Sequence, residues 1–391
     1  MTIRHGTPEF RRTNLALFSA GFATFALLYC VQPLMPIFAR DFQVSAAQSS
    51  LSLSLTTGLI APAMIVAGAI SEARGRKPIM LASIFASSLL TIACAFATHW
   101  PTFLALRAIL GIAFAGLPAV SMAYLGEEVH PGSLGLAMGL MIGGNGLGGM
   151  LGRLATSLIT DAFSWRYALG LIGLLGLIAA FIFWRTLPPS RNFVPRPPHV
   201  AAMLHTFGRQ LRDPKLVPLF AIGFLVMGAF VTSYNYVTYR LIDPPYSLSH
   251  AAVGFIFVVY IVGIFASAYI GSKADKFGRE RMLLLMTFVM LAGVALMATH
   301  PLALIVLGIA TLTFGFFGGH SVASSWVGIR ATSAKAQAAA LYLFFYYMGS
   351  SVAGAVGGWF WDKWQWMGVT LFVASLLVAM LGAAILCARD A

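Results

Sequence analysis

Charge is what this chain has least of. Only 9% of its 391 residues are Asp, Glu, Lys or Arg, whereas 59% are hydrophobic and the mean hydropathy is +0.85. A soluble domain carries about a quarter of its residues charged, so a water-facing globule is excluded. Acids are scarcer still. The twelve Asp and Glu residues all fall in loops or at the ends of apolar runs, leaving no carboxylate in the middle of one. The three cysteines, Cys30, Cys94 and Cys387, sit in apolar runs without pairing pattern or metal spacing, which excludes a disulfide framework. No His/Cys/Asp metal cluster, nucleophile triad or phosphate-binding loop is legible. Nothing therefore supports an embedded enzyme, a resident metal or a cofactor. No signalling domain is attached that would support a sensor.

What is present is a series of apolar runs of about twenty residues, the length that crosses a bilayer as a helix. Twelve can be drawn: Asn14–Phe38, Gln48–Ile70, Pro78–Thr98, Pro101–Leu125, Leu134–Thr160, Tyr167–Leu187, Val217–Tyr239, Ala251–Gly271, Met282–Thr299, Leu302–Trp326, Ala338–Trp361 and Met367–Cys387. The first is too long for a signal-peptide core and lacks a cleavage site, so it is expected to stay in the mature protein. Pro188, Pro189, Pro195, Pro197 and Pro198 mark the longest polar stretch, Pro188–Lys215, as an extended linker. The expected organisation is all-α and integral to the membrane. One six-helix bundle spans 1–187, the linker 188–215, and a second, pseudo-symmetric bundle 216–391.

The net charge of +13 would suggest nucleic acid in a soluble protein, but here it is a topology signal. With the N-terminus inside, 19 of the 25 Lys and Arg residues lie on the cytoplasmic side. Only Arg40, Arg166, Arg240 and Lys363 lie outside, and Arg107 and Arg153 fall within spans. That bias is the positive-inside rule, and it predicts cytoplasmic termini.

The halves repeat each other. Gly68-Ala69-Ile70-Ser71-Glu72-Ala73-Arg74-Gly75-Arg76 recurs 203 positions later as Gly271-Ser272-Lys273-Ala274-Asp275-Lys276-Phe277-Gly278-Arg279. His99, Gly148, Asp161 and Trp165 recur at an offset of 201 as His300, Gly349, Asp362 and Trp366. Duplicated bundles that rock about a shared site are the logic of a transporter. Twelve spans, a central linker and Gly-x-x-x-Asp-x-x-Gly-Arg after the second and eighth spans resemble the major facilitator superfamily over essentially the whole chain. The strings Tyr29–Pro36, Gly144–Arg153 and Gly319–Trp326 narrow the resemblance to the YnfM-type, arabinose-efflux-like (drug–proton antiporter-like) transporters of the bacterial inner membrane.

The resemblance assigns the repeated loop, through Gly68, Glu72, Gly75 and Arg76 and through Gly271, Asp275, Gly278 and Arg279, to a conformational latch. The glycines permit a tight turn, and the acid can face a helix N-terminus or pair with the arginine. The first copy has Glu72 where the family has Asp, which predicts a looser latch there than at Asp275. Arg107 and Arg153 are each about 10 Å below the outer end of their spans. A guanidinium at a helix centre costs at least about 2.5 kcal/mol, so each either faces an aqueous cavity or binds helix carbonyls and braces the bundle. Arg107-Ala108-Ile109-Leu110-Gly111 resembles the fourth-helix Arg-x-x-x-Gly pattern linked to proton coupling in antiporters, although Leu110 stands where that pattern is polar. His320 is the one residue within a span that can titrate near neutrality, either as a proton carrier or as a neutral imidazole in a packing seam.

Tyr29, Gln32, Asn145, Tyr234, Asn235, Thr238 and Tyr346 read as cavity lining, with Tyr342 and Tyr346 on one helix face. Tyr239 reads as part of the interfacial aromatic belt. The glycine-rich fifth span, echoed in the eleventh, predicts close helix packing. Two arginines and a histidine without buried acids make a positive cavity, suited to an anion or a polyhydroxyl compound. The chain is thus expected to be a monomeric, proton-coupled exporter of a small polar or anionic solute. Its rival is a facilitator or proton symporter that imports one. The expected partners are the solute, protons and the lipid bilayer, and no nucleic acid.

Overall fold

A computed structural model describes residues 2–195 and 200–389. Arg196, Pro197, Pro198 and Asp390, counted above in the linker and among the charges, lie outside the described residues. The chain divides into two compact units, one of residues 1–34 with 59–200 and the other of residues 35–58 with 201–391. The described residues form helices α1 (Pro8–Tyr29), α2 (Met35–Asp41), α3 (Ala46–Arg74), α4 (Arg76–Ala95), α5 (Trp100–Phe114), α6 (Gly116–Glu128), α7 (Pro131–Ala162), α8 (Trp165–Thr186) and α9 (Val200–Gln210). They continue as α10 (Val217–Ile242), α11 (His250–Ile256), α12 (Tyr260–Phe277), α13 (Arg279–Met297), α14 (Leu302–Arg330) and α15 (Lys335–Arg389). Eleven helical runs among the described residues are long and apolar enough to cross a membrane. The last of these, α15, has 55 residues and is broken at Trp364 and Gln365, where Gln365 has φ 50°, so it supplies two of the twelve expected spans.

Local chemistry sets the helix ends. Thr7 Oγ1 accepts from the Phe10 N–H at 3.2 Å, with Pro8 in the first turn. Ser164 caps α8 and Ser249 caps α11 in the same way. The first expected span is interrupted. α1 stops at Tyr29, a tight 3-10 turn covers Gln32–Leu34, and α2 resumes at Met35. Pro33 has no N–H to return to the Tyr29 carbonyl, so the ladder cannot run on from α1. The linker also differs from the extended segment expected of it. No proline falls between Pro198 and Pro214, and that stretch spaces Met203, Phe207 and Gln210 along one side of α9.

Within the first unit α1 packs on α7 and α8, and α4 on α8. Phe10, Leu17, Met80, Val120, Tyr124 and Phe183 belong to its buried core. Glycines of α7 let α1 come close: a Cβ added at Gly144 would lie 2.6 Å from the Phe18 carbonyl oxygen, and one at Gly152 2.6 Å from Ala26 Cα. Gly148, between them, lies on the Phe22 backbone, and its repeat mate Gly349 lies on the Phe224 backbone of α10 in the second unit. The outward side of α8 carries the exposed Leu171, Leu174, Leu175 and Ile178, a surface suited to lipid.

Candidate functional site

The broken end of α1 organises the first unit. Arg107 of α5 is 1% exposed, and its Nη2 donates to the Leu28 carbonyl at 3.0 Å. Arg153 of α7 is 2% exposed; its Nε donates to Gln32 Oε1 and its Nη1 to the Gly149 carbonyl, both at 2.6 Å. The guanidinium carbon of Arg153 also lies 4.1 Å from the centre of the Tyr29 ring. Arg107 thus meets the C-terminal end of α1, where the aligned peptide dipoles concentrate partial negative charge, and Arg153 is held by the Gln32 side chain just beyond it. These contacts offset part of the cost of burying a cation. Asn145, also on α7, is half-buried and fills the space beside Gly21 of α1.

The second unit holds the other expected cavity residues. His320 Nδ1 lies 2.9 Å from the Tyr342 hydroxyl, and its ring is 4.7 Å from that of Tyr346 and 6.0 Å from that of Phe316, centre to centre. Tyr342 and Tyr346 do share one face of α15, and that face meets His320. Asn235 is fully buried beside Gly354. Tyr234 is hydrogen-bonded to Thr313 at 2.7 Å, and the Thr238 hydroxyl donates to the Tyr234 carbonyl. Tyr239 departs from the interfacial belt expected of it. It is 7% exposed, its hydroxyl donates to the Met35 carbonyl at 2.9 Å, and Ser49 Oγ lies 2.5 Å away. Two polar partners within the unit account for its burial.

The two copies of the repeated loop share a backbone and differ in their bonds. Gly75 and Gly278 have φ 99° and 92°, a region open to glycine, and each ends one helix and starts the next within a single residue. In the second copy Arg279 pairs with Asp275, four residues back, and that carboxylate is 66% exposed. In the first copy Glu72 is exposed and is not the partner of Arg76. Arg76 reaches across to Glu127 of α6, with Nη2 to Oε1 at 2.6 Å and Nε to Oε2 at 3.2 Å. Its Nη1 donates to Ser71 Oγ at 2.6 Å, and its guanidinium carbon lies 5.6 Å from the Phe193 ring centre. The expectation of a looser first copy rested on Glu72, whereas the acid that holds Arg76 is Glu127. Arg76 is the better held of the two arginines, because its acid comes from another helix.

Beside this pair stands a group not singled out in the sequence. Glu128 is 1% exposed and accepts from the backbone N–H groups of Arg191 and Asn192 at 2.8 and 2.9 Å. The signal for it was two adjacent acids closing a span in a chain with few acids. Two of the four cations expected outside, Arg166 and Arg240, also have defined places. Arg166 donates to the carbonyls of Ala95 and Ala97 at 2.8 and 2.7 Å and lies over Trp165. Arg240 donates to the carbonyls of Met297 and Thr299 and lies over Trp366, the repeat mate of Trp165. Each caps the C-terminal end of the corresponding helix, α4 or α13, within its own unit.

Residues 17–327 match the Major Facilitator Superfamily. The chain is 52% identical over 379 residues to the uncharacterized MFS-type transporter YybF of Bacillus subtilis, covering 97% of this chain and 94% of that one. It is 45% identical over 379 residues to the inner membrane transport protein YnfM of Escherichia coli, covering 97% and 91%. Its fold matches a bacterial homologue of the human lysosomal transporter Spinster, solved inward-facing and occupied, with a TM-score of 0.79 at 16% identity over 98% of this chain and 97% of that one. These matches exclude an enzyme and agree with a multi-pass protein of the inner membrane. The chain belongs to the major facilitator superfamily of membrane transporters.

Proposed function

We propose that the chain exports a small polar or anionic solute in exchange for protons, by alternating access, as a monomer. The observation that carries this reading is the pair Arg107 and Arg153, both buried within the first unit and bonded to the Leu28 carbonyl and the Gln32 side chain at the broken end of α1. Guanidinium groups can meet a carboxylate or phosphate on the solute through a charge-assisted, forked contact. Tyr29, Gln32 and Asn145 then line the first unit's part of the path, and Asn235, His320 and Tyr346 the second unit's. His320, bonded to Tyr342, is the group assigned to the proton. Efflux follows the resemblance to drug–proton antiporter-like transporters.

Comparing metabolites outside cells that overproduce the protein with those outside cells that lack it identifies the solute. Transport of that solute in sealed inverted vesicles, with and without a proton gradient, separates antiport from facilitated import. Arg153→Lys should lower transport at equal membrane abundance, because it keeps the charge and loses the planar fork. Arg153→Gln and Arg107→Gln should lower it further, by about tenfold or more. Wild-type rates in both Gln variants would reduce the arginines to braces of α1 and end the anion reading.

The orientation belongs to the same proposal, with the termini and residues 188–215 cytoplasmic. A single cysteine at Ser247 should react with an impermeant thiol reagent in intact cells, and one at Arg4 should not. The opposite pattern would invert the topology.

A further inference from the structure

Helix α9 is a short, unevenly sided element, and only one side of it is used inside the second unit. Phe207 is buried there, Gln210 Nε2 donates to the Ala334 carbonyl at 3.1 Å, and Arg209 Nη2 donates to Ser333 Oγ at 3.1 Å. An apolar edge beside that side is open. Leu204 is 59% exposed, and Leu211, just past the helix end and kept in helical register by its N–H to the Phe207 carbonyl at 2.9 Å, is 43% exposed. Arg209, Arg212 and Lys215 stand exposed beside that face. Between Asp161 and Asp243 the sequence has one acid, Asp213, whose carboxylate accepts from the Lys215 backbone N–H at 2.9 Å. Positive charge is therefore in excess along α9 and the turn after it.

The position of α9 in the chain decides what meets this face. α10 begins at Val217, six residues beyond Leu211, and Val217 is itself 40% exposed on the first turn of a membrane-spanning helix. The open leucines thus lie close in sequence to the level at which α10 enters the hydrocarbon. A helix with an apolar side flanked by basic residues lies in the interface plane, with its leucines among acyl chains and its cations among headgroups. Charge complementarity then selects the lipid. Each Lys or Arg near an anionic surface adds to binding, whereas a zwitterionic surface offers no net charge to meet it.

We infer that α9, with Arg212 and Lys215 beyond it, is a docking surface for anionic phospholipid headgroups. It holds the second unit's segment 200–217 against the bilayer surface through Leu204 and Leu211.

The test uses the full chain in lipid nanodiscs, carrying a nitroxide at a cysteine introduced at Leu204 or at His205. The native cysteines are all buried and are spared by mild labelling. With phosphatidylglycerol present, the label at Leu204 should be more accessible to oxygen than to a water-soluble nickel complex, and the label at His205 should show the reverse. In discs of phosphatidylcholine alone the Leu204 label should shift towards water. The variant Arg209→Gln/Arg212→Gln/Lys215→Gln should need on the order of a hundredfold more phosphatidylglycerol to reach the same shift, about fivefold for each charge removed. Raising the salt should weaken the wild-type response.

A Leu204 label that stays as aqueous as His205 in phosphatidylglycerol discs would overturn the inference and leave the face to a soluble partner. A shift produced equally by inorganic phosphate would overturn the lipid as its source. The wild-type measurement decides the matter even where the triple variant folds poorly.

Discussion

The two copies of the glycine-acid-glycine-arginine loop invite the expectation of one device built twice, and their bonds deny it. Arg279 holds Asp275 within its own turn, and that carboxylate is largely in water. Exposed pairs at this spacing are worth about 0.3–0.5 kcal/mol. Arg76 is 8% exposed and is shared between Glu127 and Ser71, and Phe193 stands beside it. Removing one member of such a half-buried, charge-assisted set costs about 1–3 kcal/mol. The difference has two sources outside the shared signature. Ser71 is replaced by Ala274 in the second copy, and α6 ends on Glu127–Glu128 where α14 ends on Ile329–Arg330. A motif therefore reports where a turn is, and the neighbouring helix decides how firmly it is held.

The widest separation between the copies should come from their arginines. Arg76→Gln is expected to lower transport at equal membrane abundance by about tenfold and to lower the thermal unfolding midpoint of the purified protein, with Arg279→Gln within about threefold of wild type. Glu127→Gln should match Arg76→Gln, the double variant should be no worse than either single one, and Glu72→Gln should be nearly silent. If Arg279→Gln proved the more damaging, or if Glu72→Gln matched Glu127→Gln, the asymmetry argued from the structure would be wrong.

A smaller effect should show where the units agree. Arg166 and Arg240 cap the ends of α4 and α13 beside Trp165 and Trp366, though they come from helices that are not repeat mates. Replacing either with Gln should cost a similar amount, about 1 kcal/mol, read as equal drops in unfolding midpoint. Loss of stability in only one of them would show that the two caps differ as the two repeated loops do.

Several particulars of the site were legible in advance and others were not. A buried arginine is expensive in any bilayer protein, so Arg107 and Arg153 stood out from composition alone. The i, i+4 spacing of Tyr342 and Tyr346 put them on one face before His320 was seen to meet it. By contrast, the burial of Tyr239 depended on Ser49 and the Met35 carbonyl, residues about two hundred positions away, which no local pattern encodes. Helix α9 is hidden by its neighbours in the sequence, because prolines crowd the segment before it and signal extended chain.

The sequence by itself determined the family, the number of spans, the repeat and the places where the chain turns. These follow from local rules: twenty apolar residues fit a bilayer, glycine alone turns freely at positive φ, and proline ends a backbone ladder. Tertiary structure alone decided the partners of the charges. Arg76 turned from Glu72 to Glu127, Arg107 met the Leu28 carbonyl and Arg153 the Gln32 side chain. In a low-dielectric interior a cation is stable only beside whatever negative charge the packing brings within about 3 Å, and packing joins residues far apart in the chain.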